Sequence, residues 1–179
     1  MFKQFNKVDT TTRSLLGLLV LVIAGFTLAL PGQFFNGGTF MSVAFQLPEL
    51  GLLTLAMFIP ILSGGLNLCI IATANLTSLL MAWVFLTWLP PEAGLAMQAL
   101  WLVLALAGAM LLAALIGVFT GALVAYIGAH PILVTLATMT MVNGLGIYLT
   151  RGAALSGMPE IVRFIGAETV LGIPVPLII

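Results

Sequence analysis

The strongest constraint on the fold is a run of uncharged residues that extends from Pro131 to Thr150. As a helix rising about 1.5 Å per residue, a run of this length spans roughly 30 Å, the thickness of the hydrocarbon core of a bilayer. The run follows the single histidine, His130, and stops at Arg151-Gly152. It therefore predicts a membrane-spanning helix with clearly marked ends.

The composition extends this interpretation to the whole chain. Hydrophobic residues make up 62% of the sequence and charged residues only 6%, whereas soluble domains carry about 25% charged residues. The apolar runs are long and continuous, while the strands of a membrane barrel alternate in polarity over about ten residues. We therefore expect an all-α, polytopic transmembrane helix bundle with about five complete spans.

The order of the spans follows from breaks in the apolar runs. We expect spans near residues 14–30, 45–62, 66–89, 97–126 and 131–150. The second follows an outside loop at 32–49, in which Asn36-Gly37-Gly38 reads as a turn. Residues 172–179 begin a sixth apolar run. Because so short a run cannot cross a bilayer, we expect residues 1–179 to be one incomplete transmembrane domain.

The charges predict an orientation. Lys3, Lys7 and Arg13 precede the first span, which places residues 1–13 in the cytoplasm by the positive-inside rule. Counting five crossings from there puts residues 151–171 in the periplasm.

That outer segment holds four of the ten formal charges, Arg151, Glu160, Arg163 and Glu168, and we expect a short surface helix from Glu160 to Glu168.

Polar side chains within the spans are candidates for the lining of a solute pathway. They are Asn67, Asn75, Thr135, Thr138 and Asn143. At 100° per residue, Asn67, Asn75 and Ser78 would share one helix face. The alternative is structural, since amides can hydrogen-bond between helices and threonine can bond its own helix backbone.

Small residues recur every fourth position in the fourth span. Ala113, Gly117, Gly121 and Ala125 allow two helix backbones to approach closely. We expect these residues to be a helix-packing seam. Both an intramolecular seam and a dimer seam remain open.

Several classes of function are disfavoured. The net charge is zero and there is no basic run, so nucleic acid is not an expected partner. Cys69 is the only cysteine and has no acidic residue or histidine nearby in sequence, so we expect no metal site or cofactor. We expect no catalytic residues, and no phosphate-binding loop for ATP is present.

Two stretches resemble motifs of a known family. Ser63–Leu68 (SGGLNL) and Pro131–Met139 (PILVTLATM) are similar to signatures of the inner-membrane permease subunits of bacterial ribose-type ABC importers, which take up simple sugars or autoinducer-2-like solutes. Ser156-Gly157-Met158-Pro159 fits the continuation of the second motif. The resemblance covers roughly residues 45–179, the N-terminal half of such a permease.

The resemblance implies an assembly in the bacterial inner membrane. A permease of this family forms a homo- or heterodimer with a second permease subunit in the lipid bilayer. It works with a cytoplasmic ATP-binding subunit and a periplasmic substrate-binding protein. The chain itself would then not be an enzyme, and the helix that couples it to the ATPase would lie beyond Ile179. Arg151, Glu160 and Arg163 would be candidates for binding-protein docking, or alternatively a solvated face.

Two departures from the family pattern concern the solute. Asn67 stands where the family has an aspartate, and Asn143 stands where a lysine or arginine is common. A neutral amide can donate a hydrogen bond to a hydroxyl or accept one from it, but it cannot pair with a cation. The alternative function is a stand-alone secondary transporter or channel, which would normally place an ionisable group within the membrane.

Overall fold

The computed structural model describes residues 10–90 and 92–179, so the first nine residues of the predicted cytoplasmic tail lie outside the described residues. The helices are α1 (Thr10–Ala29), α2 (Gly37–Leu62), α3 (Ile70–Trp88), α4 (Leu95–Ile127), α5 (Pro131–Thr150), α6 (Glu160–Ala167) and α7 (Val175–Ile178), and a hairpin pairs β1 (Thr169–Val170) with β2 (Ile173–Pro174). Within this part of the chain, α1 to α5 are long and apolar enough to cross a membrane. The predicted all-α, polytopic architecture is confirmed.

The chain divides into two compact units, Met1–Gln46 and Leu47–Ile179. In the first unit, aromatic rings cluster around the turn after α1. Phe26 stacks on Phe34 with ring centroids 5.9 Å apart, and Phe35 meets Phe34 edge-on at 5.2 Å. Such ring pairs contribute beyond their buried area, and here they stabilise the turn. The expectation of a single domain over residues 1–179 stays a prediction.

Helix α2 begins earlier than the sequence suggested. We expected a loop to residue 49 and a span from about Phe45, but the helix starts at Gly37. The side-chain Oδ1 of Asn36 accepts a hydrogen bond from the backbone N–H of Gly38 at 2.7 Å. Asn36 is therefore a helix cap rather than part of a turn, because its side chain satisfies a backbone donor of the first helical turn.

Helix α3 begins later than predicted, at Ile70 instead of residue 66. The Oδ1 atom of Asn67 accepts a hydrogen bond from the backbone N–H of Cys69 at 3.0 Å, which is the local bond of an Asx turn. Asn67 thus lies in the turn before the helix. The expectation that it shares a helix face with Asn75 is wrong, because the 100° spacing applies only within a helix.

The ends of α5 and α6 agree with the sequence. Helix α5 runs from Pro131 to Thr150 as predicted. Proline is suited to a first helical position because it needs no hydrogen bond there. Arg151 and Gly152 end the helix with left-handed φ angles of 52° and 72°. The predicted short helix after α5 is also confirmed as α6, which ends at Ala167.

Helix α3 is the centre of the second unit and packs against both α4 and α5. Ala72 and Leu76 of α3 are buried with Val142 of α5 in one cluster. Nearer the other end of α3, Phe85 is buried with Ala105 of α4. Ala72 and Ala105 are small, so the helix backbones approach closely at both contacts.

A contact between α5 and the loop that precedes α3, which we call the loop joint, consists of Gly65, Leu66, Pro131 and Thr135. A Cβ atom at Gly65 would lie 3.4 Å from the Cβ of Pro131. The Oγ1 hydroxyl of Thr135 donates to the backbone oxygen of Leu66 at 3.2 Å and also lies 3.3 Å from that of Ile132. The joint fastens the beginning of α5 to the loop that leads into α3.

Candidate solute site between α3 and α5

A cleft of about 540 Å³ lies between α3, α5 and the segment that follows α5. Its lining residues come from these three parts of the chain: Ala72, Asn75, Leu76, Ser78, Leu79, Val142, Asn143, Gly146, Ile147, Thr150, Gly152, Ala153 and Ala154. Two predicted pathway residues, Asn75 and Asn143, are thus brought together from opposite walls.

The packing of the two helices places these amides at similar heights. The loop joint connects the beginnings of α3 and α5, and further along a Cβ at Gly146 would lie 3.3 Å from Cδ1 of Leu79. The two helices therefore run in the same direction. Asn143 precedes Gly146 by three residues and Asn75 precedes Leu79 by four, so each amide lies about one helical turn below this contact.

Both amides are free to bind a solute. Asn75 and Asn143 are exposed to the cleft, and neither side chain has a hydrogen-bond partner among residues 10–90 and 92–179. Each amide offers two N–H donors and one carbonyl acceptor. An unpaired amide in a membrane span is costly unless water or a ligand satisfies it. The cleft is therefore best suited to a wet or solute-filled state.

Two hydroxyls complete the polar lining. The Oγ of Ser78 donates to the backbone oxygen of Asn75 at 2.8 Å, and the Oγ1 of Thr150 donates to that of Gly146 at 3.0 Å. Since each proton is used within its own helix, these hydroxyls present acceptor lone pairs to the cleft. None of the described residues lining the cleft is charged. The site matches a neutral solute that carries both donors and acceptors.

Sequence reasoning did not select Ser78 and Thr150 as site residues, although a signal for them exists. Ser78 follows Asn75 by three residues, and Thr150 follows Asn143 by seven. Both spacings keep a residue on nearly the same face of a helix. The sequence analysis had already placed Ser78 on the face of Asn75, and the same register with Asn143 would have identified Thr150.

The other three predicted pathway residues lie outside this cleft. Asn67 is half-buried in the turn before α3. Thr135 is buried in the loop joint. Thr138 is buried, donates to the backbone oxygen of Val134 at 2.9 Å, and borders largely apolar hollows beside α4. In each of them the side-chain oxygen is hydrogen-bonded to the protein's own backbone.

The predicted packing residues of α4 differ in their surroundings. Ala113 is half-buried, while Gly117, Gly121 and Ala125 are exposed. A Cβ at either glycine would meet nothing within 4 Å in the described chain. Where α4 meets α3, Ala105 is buried with Phe85, and Leu112 and Ile116 pack against the cluster that contains Ala72. The role of the four residues as a packing seam remains a prediction.

A glutamine of α4 hydrogen-bonds to the segment that follows α5. The Oε1 of Gln98 accepts from the backbone N–H of Ile161 at 3.3 Å, while its Nε2 donates to the backbone oxygen of Ala93 at 3.0 Å. This bond holds the start of α6 against the start of α4. Of the predicted docking residues, Glu160 and Arg163 are exposed on α6.

Arg151, the third predicted docking residue, is exposed at the end of α5. Within the described residues, none of the three charges forms an ion pair. Their charges are therefore available to a partner molecule.

Comparison with known proteins identifies similar permeases. The chain is 29% identical over 136 residues to the autoinducer 2 import system permease protein LsrD of Yersinia enterocolitica, covering 73% of this chain and 38% of that protein. It is 26% identical over 162 residues to the D-allose transport system permease protein AlsC of Escherichia coli, covering 90% of this chain and 46% of that protein. No protein-family profile and no solved structure matches the chain.

The chain thus spans about two fifths of the length of the curated relatives it matches, which include the LsrD of an Enterobacter species at 28% identity. These relatives are permease proteins of import or transport systems for autoinducer 2 and D-allose. The resemblance to sugar-type and autoinducer-2-type importer permeases, read from two sequence motifs, is confirmed.

Proposed function

We propose that the chain is part of a membrane-spanning permease subunit of an ATP-driven importer, located in the bacterial inner membrane with its N-terminus in the cytoplasm. The observation that carries the proposal is the α3–α5 cleft, in which Asn75 and Asn143 present amides that have no partner among the described residues, within two membrane spans. The similarity to permeases of known solute-import systems supports it.

The chemistry of the cleft favours a sugar or a sugar-like polar solute. A sugar carries neighbouring hydroxyls, each of which donates one hydrogen bond and accepts others. Amide N–H groups can serve the acceptors, and the amide and hydroxyl oxygens of the cleft can serve the donors. A charged solute would leave its charge without an opposite partner among the lining residues, at a high desolvation cost.

The proposal includes the partners of an ATP-driven importer. The complete gene product would act with a second permease subunit, a cytoplasmic ATP-binding subunit and a periplasmic substrate-binding protein. We expect genes for the ATPase and the binding protein to lie beside its gene.

Reconstitution of these proteins in vesicles tests the function. Uptake of a radiolabelled solute, chosen by thermal-shift screening of the binding protein against pentoses, hexoses and polyols, should require both ATP and the binding protein. Uptake by the purified permease alone would instead support a secondary transporter or channel. The matched control is the same assembly with a non-hydrolysable ATP analogue, which should show no accumulation.

We further propose that Arg151, Glu160 and Arg163 guide the binding protein onto the outer surface. Because these charges are exposed and unpaired among the described residues, they can complement charges on a partner.

Charge reversal of Arg163 or Glu160 should slow association of the binding protein by about threefold to tenfold at low ionic strength, with a smaller effect in high salt. Stopped-flow binding to the complete permease in nanodiscs measures this rate. Arg13→Glu, near the start of α1, is the control and should leave the rate unchanged. Equal rates for the reversed variants and the wild type would contradict the docking role.

A further inference from the structure

The hairpin after α6 has an unusual turn. Thr169 and Val170 pair with Pro174 and Ile173, and the connecting residues are Leu171 and Gly172. Both turn residues have left-handed φ angles, 54° at Leu171 and 80° at Gly172. Two-residue turns with positive φ at both positions strongly favour asparagine, aspartate or glycine. A leucine is conformationally disfavoured there because its Cβ crowds the backbone.

The same leucine projects away from the rest of the described chain. Leu171 is 98% exposed, and its neighbours Val170 and Ile173 are 41% and 47% exposed. The other side of the hairpin is fixed, since Val175 is buried and its backbone N–H donates to the backbone oxygen of Glu168 at 3.0 Å. The base of the hairpin is therefore held in place, and its apolar tip points away from the rest of the described chain.

The segment that carries the hairpin packs at the tryptophan-bearing end of the bundle. Val162 of α6 packs against the cluster of Phe85 and Ala105, which also contacts Trp101. The rings of Trp83, Trp88 and Trp101 form one group with centroids 5.3 and 5.8 Å apart. Tryptophan at the ends of membrane spans marks the level of the lipid headgroups.

The surroundings of the tip favour lipid as its partner. The tip residues Val170, Leu171, Gly172 and Ile173 contain no charged or hydrogen-bonding side chain, so they offer no polar group for recognition of a protein surface. Charged residues flank the tip instead: Glu160 and Arg163 lie on α6, and the exposed Glu168 follows that helix, next to Thr169 at the base of the hairpin. An amphipathic helix with an adjacent apolar projection is typical of segments that bind in the plane of a bilayer.

We propose that the hairpin tip at Leu171 is a lipid anchor, inserted into the headgroup–acyl boundary of the bilayer beside the tryptophan group. The unfavourable turn conformation of Leu171 is then offset by transfer of its side chain from water to lipid. The anchor fixes the depth at which α6 and its charges lie. This inference depends only on the membrane spans and not on the solute or the importer partners.

Fluorescence quenching tests the anchor in the complete protein. In a Cys69→Ala background, Leu171→Cys is labelled with an environment-sensitive dye and reconstituted in vesicles of phosphatidylcholine and phosphatidylglycerol. Spin-labelled lipid should quench this dye, and aqueous iodide should quench it at least about threefold less than the same dye at Arg163→Cys. As a check on the alanine substitution, Leu171→Cys in a preparation that retains Cys69 should show the same quenching, because this buried thiol should not react with the dye.

Two outcomes would overturn the proposal. Iodide quenching at Leu171→Cys as strong as at Arg163→Cys would place the tip in water. Protection from both iodide and spin-labelled lipid would show that protein covers it. As a second variant, Leu171→Asn suits the turn and should preserve the fold, while the dye at a neighbouring Val170→Cys should then lose its quenching by spin-labelled lipid.

Discussion

Asn143→Leu is expected to reduce solute uptake by the complete permease by about tenfold or more, without lowering its thermal stability. The Asn143 amide has no hydrogen-bond partner among the described residues, so its removal breaks no bond within this part of the protein. Leucine has a similar size but cannot bind a hydroxyl. Asn75→Leu should act in the same way, since its amide lines the opposite wall of the cleft.

Uptake assays in vesicles, with melting temperatures of the purified variants, separate the two possible roles of these amides. Thr138→Val is the matched control, because Thr138 donates to its own helix backbone and lies outside the cleft. It should transport at nearly the wild-type rate. A marked loss of stability for Asn143→Leu, with uptake unchanged, would show that the amide is structural rather than part of the pathway.

The second large effect is expected from a disulfide across the loop joint. In a Cys69→Ala background, the double variant Gly65→Cys/Pro131→Cys should form a disulfide almost completely. A Cβ at Gly65 would lie 3.4 Å from that of Pro131, which a small shift brings to the separation of about 3.5–4.5 Å between the Cβ atoms of a disulfide. Gly64 has a left-handed φ of 81°, but Gly65 is not among the residues with positive φ, so a side chain is tolerated there. In the chain-entropy description, closing this loop stabilises the protein by about 4 kcal/mol.

We expect the oxidised protein to transport within about twofold of the reduced one, because α3 and α5 pack as one rigid pair. Their contact continues from the loop joint through the buried residues Ala72 and Val142 to Gly146. Gel mobility, melting temperature and uptake before and after reduction measure the outcome, with the two single-cysteine variants as controls. Transport that is blocked by oxidation and restored by reductant would show that these helix beginnings must separate during the cycle.

The limits of α5 could be predicted from sequence because they depend on local chemistry. Proline begins this helix and a glycine follows its last turn, and both signals act within a few residues. The beginnings of α2 and α3 were harder to predict. Asn36 and Asn67 each bond a backbone N–H two residues ahead. The same residue types therefore mark both a turn and a helix cap, and the sequence does not decide between them.

The neighbours of each helix could not be predicted in the same way. In water, an apolar stripe identifies the buried face of a helix, but in a membrane lipid-facing and protein-facing residues are equally apolar. This is why Asn75 and Thr138, both polar residues in spans, could not be distinguished beforehand. One faces a cleft and the other is buried against its own backbone. The difference arises from the packing of α3 and α5, which involves residues about seventy positions apart.

The length of α4 makes the protein responsive to bilayer thickness. Its 33 residues extend about 50 Å, while the hydrocarbon core measures about 30 Å. Even at a tilt of about 40°, the upper end of the usual range, the helix would still cover about 38 Å along the bilayer normal. Part of this very apolar helix must therefore emerge beyond the acyl chains or thicken the bilayer around it. A thicker membrane covers more of the helix and leaves less of it outside the acyl chains. Lipid chain length should therefore shift the free energy of unfolding of α4 and of helix α3, which packs against it.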